Sequence, residues 1–92
     1  MSEQASFSAL INGRVQGVFF RSFTQGKALN LDLCGYVRNL TSGAVEVYAE
    51  GDKGKLDSLI SYLKIGPIGS VITSVKVDWS VFGDQYTDFS VR

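Results

Sequence analysis

The sequence has no histidine, a single cysteine and a single proline. Without histidine, the chain lacks the side chain most used for acid–base chemistry at neutral pH and the commonest metal ligand. The lone Cys34 has no partner for an internal disulfide and rules out C-x-x-C redox or metal sites. Carboxylates alone suit only harder ions, so no transition-metal site is expected. Net charge is also lacking, because nine basic and nine acidic side chains cancel. A protein that grips a phosphodiester backbone usually carries a positive field, so no nucleic-acid partner is expected. No apolar run approaches bilayer-spanning length, and the start, M-S-E-Q-A-S-F, lacks the basic end and apolar stretch of a signal peptide. The expectation is a soluble cytoplasmic protein with no membrane partner.

What is there suffices for one core. Ninety-two residues, 45% apolar, read as a single domain over 1–92. A chain of this size buries roughly 60–65% of its unfolded surface. Phe7, Ala9 and Ile11 alternate with Ser6, Ser8, Leu10 and Asn12, a strand that ends at Gly13. Phe20, Phe23, Ala28 and Leu31 then fall near one helical face, although Gly26 weakens that helix by about 1 kcal/mol. Residues 34–39 and 45–50 read as a hairpin around Leu40-Thr41-Ser42-Gly43. Asp52 suits a helix N-cap, and Leu56, Leu59, Ile60 and Leu63 stand at i, i+3, i+4, i+7. Gly66-Pro67 stops that helix. Val71, Thr73, Val75, Val77 and Trp79 alternate along a fourth strand, and Phe89 and Val91 suit a short last one.

The order β-α-β-β-α-β predicts an α+β, ferredoxin-like sandwich. In it a four-stranded antiparallel sheet carries both helices on one face, with a short C-terminal strand added. Fold alone does not give function. Within this layout, residues 13–21 read G-R-V-Q-G-V-F-F-R and join a strand to a helix. Helix starts collect N–H groups without intrahelical partners, and glycine allows close ligand approach. Such a junction makes an anion cradle. Arg21 opposes the helix dipole there, a conflict of about 0.3–1 kcal/mol that a bound anion resolves. Read from these residues alone, the junction is either that cradle or an ordinary turn in which Phe19 and Phe20 are core. It is not a nucleotide-binding G-x-x-x-x-G-K-[ST] loop, since neither Gly26-Lys27 nor Gly54-Lys55 has the flanking residues. Nor is it a C-x5-R loop, because Val15 stands six before Arg21 and Leu40 six after Cys34. Cys34 therefore reads as a small strand residue. Asn39 reads either as a turn residue opening the hairpin link or as a polar group of the site.

Residues 13–21 and the stretch G-Y-V-R-N-L-T-S-G-A-V-E-V-Y-A-E-G at 35–51 together resemble the acylphosphatase family in content, spacing and order. The likeness extends to Thr24, Ala28, the second helix and Gly66-Pro67. It implies the ferredoxin-like fold and the metal-free hydrolysis of acyl phosphates to a carboxylate and inorganic phosphate. The implied roles are specific. Backbone N–H groups of Gln16, Gly17, Val18, Phe19, Phe20 and Arg21 would wrap the phosphoryl oxygens, Arg21 would add its guanidinium, and Asn39 would hold the attacking water. Inorganic phosphate would be both product and competitive inhibitor. Phe19 is bulkier than the small residue some members carry, and Leu40 stands where some carry a hydroxyl; both bear on rate and loop dynamics.

The main rival reading is a non-catalytic module that binds phosphate or carbamoyl phosphate, because the same domain occurs within larger proteins that process carbamoyl phosphate. The free-standing chain instead suggests an independent, monomeric enzyme. An RNA binder of this fold needs exposed aromatics on central strands, whereas residues 44–50 offer Tyr48 beside Glu46 and Glu50. Trp79, Phe82, Tyr86 and Phe89 read as core and edge packing.

Overall fold

In the computed structural model, which describes residues 3–92, the chain starts with β1 (Gln4–Arg14) and then enters α1 (Phe20–Asn30). The hairpin β2 (Cys34–Asn39) and β3 (Val45–Asp52) follows, then α2 (Lys53–Ile65), β4 (Val71–Val81) and β5 (Phe89–Val91). Met1 and Ser2 of the expected 1–92 domain lie outside the described residues. Phe7, Ala9 and Ile11 point inward with Val45, Val47 and Ala49 of β3, as period-2 alternation requires. Leu56, Leu59 and Leu63 of α2 close the same core, together with Phe20 and Ala28 of α1. Burying each larger side chain contributes about 1.5–3 kcal/mol. Asp52 caps α2 by accepting from the Lys55 N–H at 3.1 Å.

The sheet corrects the expected architecture. It has five strands in the order β4-β1-β3-β2-β5, and β5 lies parallel to β2 through Gly35↔Phe89 and Val37↔Val91. The sheet is therefore mixed; only its other four strands are antiparallel. β5 is held from both sides. The Gln25 side chain of α1 donates to the Phe89 carbonyl at 3.0 Å, and the Arg92 N–H donates to the Val37 carbonyl at 2.8 Å.

A second correction concerns β4. Its partner register jumps from Asn12↔Ser74 to Gly13↔Ile72, which leaves Thr73 as an extra residue. Such a bulge reverses which side chains face inward. Ile72 consequently packs against the core with Val75 and Val77, while Val71 is 57% exposed. Downstream, Trp79 keeps an edge contact with Phe7, but its exposure of 42% and that of Phe82 at 38% make them surface residues. Of the aromatics expected in core and edge packing, Phe89 alone is buried. Tyr86 instead joins Tyr36 and Tyr48 in a cluster on the face without helices, with ring centroids 5.4–5.9 Å apart. Glu50, nearly buried, fixes the β4–β5 connection by accepting from the Gln85 and Tyr86 N–H groups at 2.8 and 3.0 Å. Among the described residues, no helix is long and apolar enough to cross a membrane.

Candidate functional site

The topology brings several chain segments to one end of the sheet. β1 and β2 both run antiparallel to β3, so they point the same way. Val45 pairs with Ile11 on one side and Asn39 on the other. Asn39 therefore lies two strand spacings from Ile11, near the end of β1, about 10 Å. The loop that leaves β1, and the start of α1 that follows it, occupy that same end. β5, parallel to β2, ends there as well.

Gly13 makes the exit from β1 possible. Its φ is +128°, and a Cβ there would sit 2.0 Å from the Val71 carbonyl oxygen. Gly17 has φ +75° with open space around it, so glycine is needed there for backbone freedom and not for room. Val15 is buried and Val18 packs against the core, which anchors the loop at two points. Gln16 supplies a third. Its side-chain nitrogen donates to the carbonyls of Leu40 at 2.8 Å and Ala44 at 2.9 Å, tying the loop to the β2–β3 turn.

The loop is rich in unclaimed donors. Among the described residues, no carbonyl or side chain accepts from the backbone N–H groups of residues 16–22. α1 has no side-chain cap and no acidic residue in its first turn. A helix start with nothing negative at it, beside a run of free N–H groups, favours an anion. Ahead of it, Arg21 is half-buried, and its Nη1 donates to the Arg92 carbonyl at 2.8 Å. Arg92 is itself fixed, with its guanidinium 4.1 Å from the Tyr36 ring centroid. The end of β5 thus orients Arg21 through one of its five N–H donors and leaves the others for a ligand.

A cleft of about 270 Å³ is lined by Val15, Gly17, Phe19, Phe20, Arg21, Ser22, Asn39 and Val91. Asn39 is exposed, ends β2 and shares the inward face with Val37, and its carboxamide makes no hydrogen bond among the described residues. Arg38, next to it, points to the other face and pairs with Glu46 at 2.6 Å, so its charge is spent away from the cleft. Among the described residues, the cleft lining thus holds one cation, one carboxamide and one hydroxyl, and no carboxylate, thiol or phenol. Cys34 lies outside it. Burial, aided by Glu50, Asp88 and Asp84, pushes its thiol pKa up, which makes a thiolate nucleophile harder to form.

Most of the residues expected to form the site are therefore brought together around the cleft. Gly17, Phe19, Phe20, Arg21 and Asn39 line the cleft. Gln16 and Val18 do not; the side chain of Gln16 is the strap to the hairpin turn, and that of Val18 packs inward. Sequence reading missed Arg92, Ser22 and Val91. Nothing local marks Arg92, because its relation to Arg21 arises only when β5 joins β2.

A sequence model of the acylphosphatase family matches residues 7–91. An acylphosphatase of Dehalococcoides mccartyi is 46% identical over 85 residues, which is 91% of this chain and 93% of that protein. The crystal structure of acylphosphatase from Bacillus subtilis superposes with a TM-score of 0.93 at 35% identity, covering 96% of this chain and 98% of that one. Full-length HypF, solved in a phosphate- and nucleotide-bound form, matches with a TM-score of 0.90 at 30% identity, over 100% of this chain but 12% of its own.

Proposed function

The chain belongs to the acylphosphatase family, and we propose that it hydrolyses acyl phosphates at this cleft with the residues described above. It is a hydrolase, and its substrate is a small molecule carrying a carboxyl–phosphate bond. The observation that carries the mechanism is the combination of unclaimed N–H groups and Arg21 with the lack of any acid or base in the lining. Phosphoryl transfer needs positioning and charge stabilisation more than covalent help. A carboxylate leaves without protonation, whereas an alkoxide needs a general acid that this cleft does not offer.

In this reading the phosphoryl oxygens lie against the N–H groups of residues 16–21 and the free donors of Arg21. The Asn39 carboxamide accepts a hydrogen bond from the attacking water and aims its oxygen at phosphorus. Water attacks in line, the bond from phosphorus to the carboxyl oxygen breaks, and the carboxylate departs with the bonding pair. An amide is too weak a base to take the proton at neutral pH, so the proton passes to a phosphoryl oxygen or to solvent. Inorganic phosphate fits the same donors and inhibits competitively. The chain acts as a monomer in the cytoplasm, without metal.

A second reading has support in the likeness to HypF, in which a domain of this shape forms a small part of a longer chain. In that reading the cleft of this chain holds phosphate or carbamoyl phosphate without turnover. Benzoyl phosphate with EDTA separates the two, using wild type, Arg21→Ala and Asn39→Ala, each checked for folding by circular dichroism. Turnover lost in both folded variants supports the hydrolase. Phosphate binding without turnover in the wild type supports the binding module.

A further inference from the structure

Phe19 is out of place by every rule that governs folding. Its neighbours on both sides point inward, Val18 against the core and Phe20 at 1% exposure, yet Phe19 is 83% exposed. Its backbone is left-handed, with φ +61° and ψ +26°. Bulky side chains rarely adopt that conformation, which glycine enters without strain. It occupies the N-cap position of α1 but offers no side-chain oxygen to cap it. A glycine, serine or asparagine here would relieve strain or cap the helix. Instead the chain holds a large ring in solvent at the lip of the cleft.

From this we infer that Phe19 is the surface that receives the acyl group of the substrate, and that it favours aromatic and other apolar acyl phosphates over acetyl phosphate. The inference rests on the hydrolase reading above. With the phosphoryl group against the loop and Arg21, in-line attack by water held at Asn39 sends the carboxylate to the side away from β2. Phe19 lines the cleft from the loop between Gly17 and Arg21, and not from β2. Of the large apolar side chains that are exposed among the described residues, only Phe19 and Val91 line the cleft. No polar lining residue remains to recognise an acyl group by hydrogen bonds once Arg21 and Asn39 serve the phosphoryl group and the water, apart from Ser22. Discrimination among acyl groups then falls to apolar contact. Gly17, also in the lining, has nothing within 4 Å of its absent Cβ, so no neighbour fills the cleft at that point.

The test is the ratio of kcat/KM for benzoyl phosphate to that for acetyl phosphate, in wild type, Phe19→Ala, Phe19→Gly and Phe19→Trp. Both substrates carry the same phosphoryl group, so any disturbance of the loop's N–H donors cancels from the ratio. We expect Phe19→Ala and Phe19→Gly to lower it about 3- to 12-fold, the factor that one aromatic pair contributes, and Phe19→Trp to hold or raise it. Phe19→Gly should also melt no lower than wild type, with a rise of about 2–5 °C as strain is relieved. A ratio unchanged in both truncations, with both substrates turned over, overturns the inference and leaves the hydrolase standing. A lower Tm in Phe19→Gly overturns the premise that the ring contributes nothing to folding. A wild type that binds phosphate yet hydrolyses neither substrate overturns both readings.

Discussion

Replacing Gln16 by alanine cuts the strap between the loop and the hairpin turn, and the structure sets the size of the effect. Two hydrogen bonds are lost, to the Leu40 and Ala44 carbonyls. Neither carbonyl is orphaned, because Leu40 still accepts from the Gly43 N–H at 3.1 Å and Ala44 from the Leu40 N–H at 2.9 Å. The loss is thus two ordinary neutral bonds, about 1–3 kcal/mol together, without a desolvation penalty. For a chain of this length that lowers Tm by roughly 5–15 °C in a calorimetric or fluorescence melt. Turnover should respond differently from binding. The phosphate donors and Arg21 sit together on the loop and α1, while Asn39 sits on β2 beyond the strap. Loosening the strap shifts water relative to phosphorus, so kcat falls about 10- to 100-fold. The inhibition constant of inorganic phosphate, read from competition at fixed substrate, moves much less than kcat, because the loop N–H groups and Arg21 that would bind it stay together when the strap is cut. Equal losses in kcat and phosphate affinity would refute this reasoning, as would the expected fall in Tm with kcat intact.

The other perturbations have equally definite signs. Arg21→Ala should lower kcat/KM by about 10³-fold or more and weaken phosphate inhibition, with Arg21→Lys recovering little, because a point charge cannot supply the guanidinium fork; steady-state kinetics with phosphate as inhibitor reads both. Asn39→Ala should lower kcat about 10²- to 10³-fold, the usual scale for one positioned amide, while phosphate inhibition changes much less. Gly13→Ala should destabilise by more than about 3 kcal/mol, because strain at positive φ adds to the clash with the Val71 carbonyl, and a melt checks it. The Cys34 thiol has a raised pKa, so the folded state holds that proton more tightly than the unfolded one. Its contribution is present at neutral pH and is lost as pH rises beyond the ordinary thiol range, about 8.5. Urea melts from pH 7 to 10 should show stability falling, less steeply in Cys34→Ser, and that variant should retain wild-type turnover.

How much of this was legible in the sequence depended on the distance over which each feature is decided. The hairpin, the Asp52 cap and the leucine face of α2 are local, and period and cap residues reveal them directly. The five-stranded sheet is not local. β5 has three residues, too few for periodicity to place, and its parallel pairing with β2 depends on hydrogen bonds from Gln25 and Arg92. The bulge at Thr73 was hidden for a related reason. Val71, Thr73 and Val75 alternate without a break, and only the register against Gly13 shows that the inward face changes to Ile72. At the site, the glycines and Arg21 stood out locally, the first for the backbone freedom they give and the second for a cation at a helix start, whereas Asn39 read equally as a turn residue until the family resemblance singled it out. The side-chain strap of Gln16 and the role of Arg92 were recognisable only once their partners, 24 and 71 residues away, were in contact.

The central claim is that water attacks phosphorus while the acyl group leaves as a carboxylate. Hydrolysis of benzoyl phosphate in ¹⁸O-labelled water, with mass analysis of both products under conditions where the enzyme outruns the uncatalysed reaction, tests it most directly. The cleft described here predicts the label in inorganic phosphate and none in benzoate. Label in benzoate would mean attack at the acyl carbon, and the roles given to the loop, Arg21 and Asn39 would be wrong.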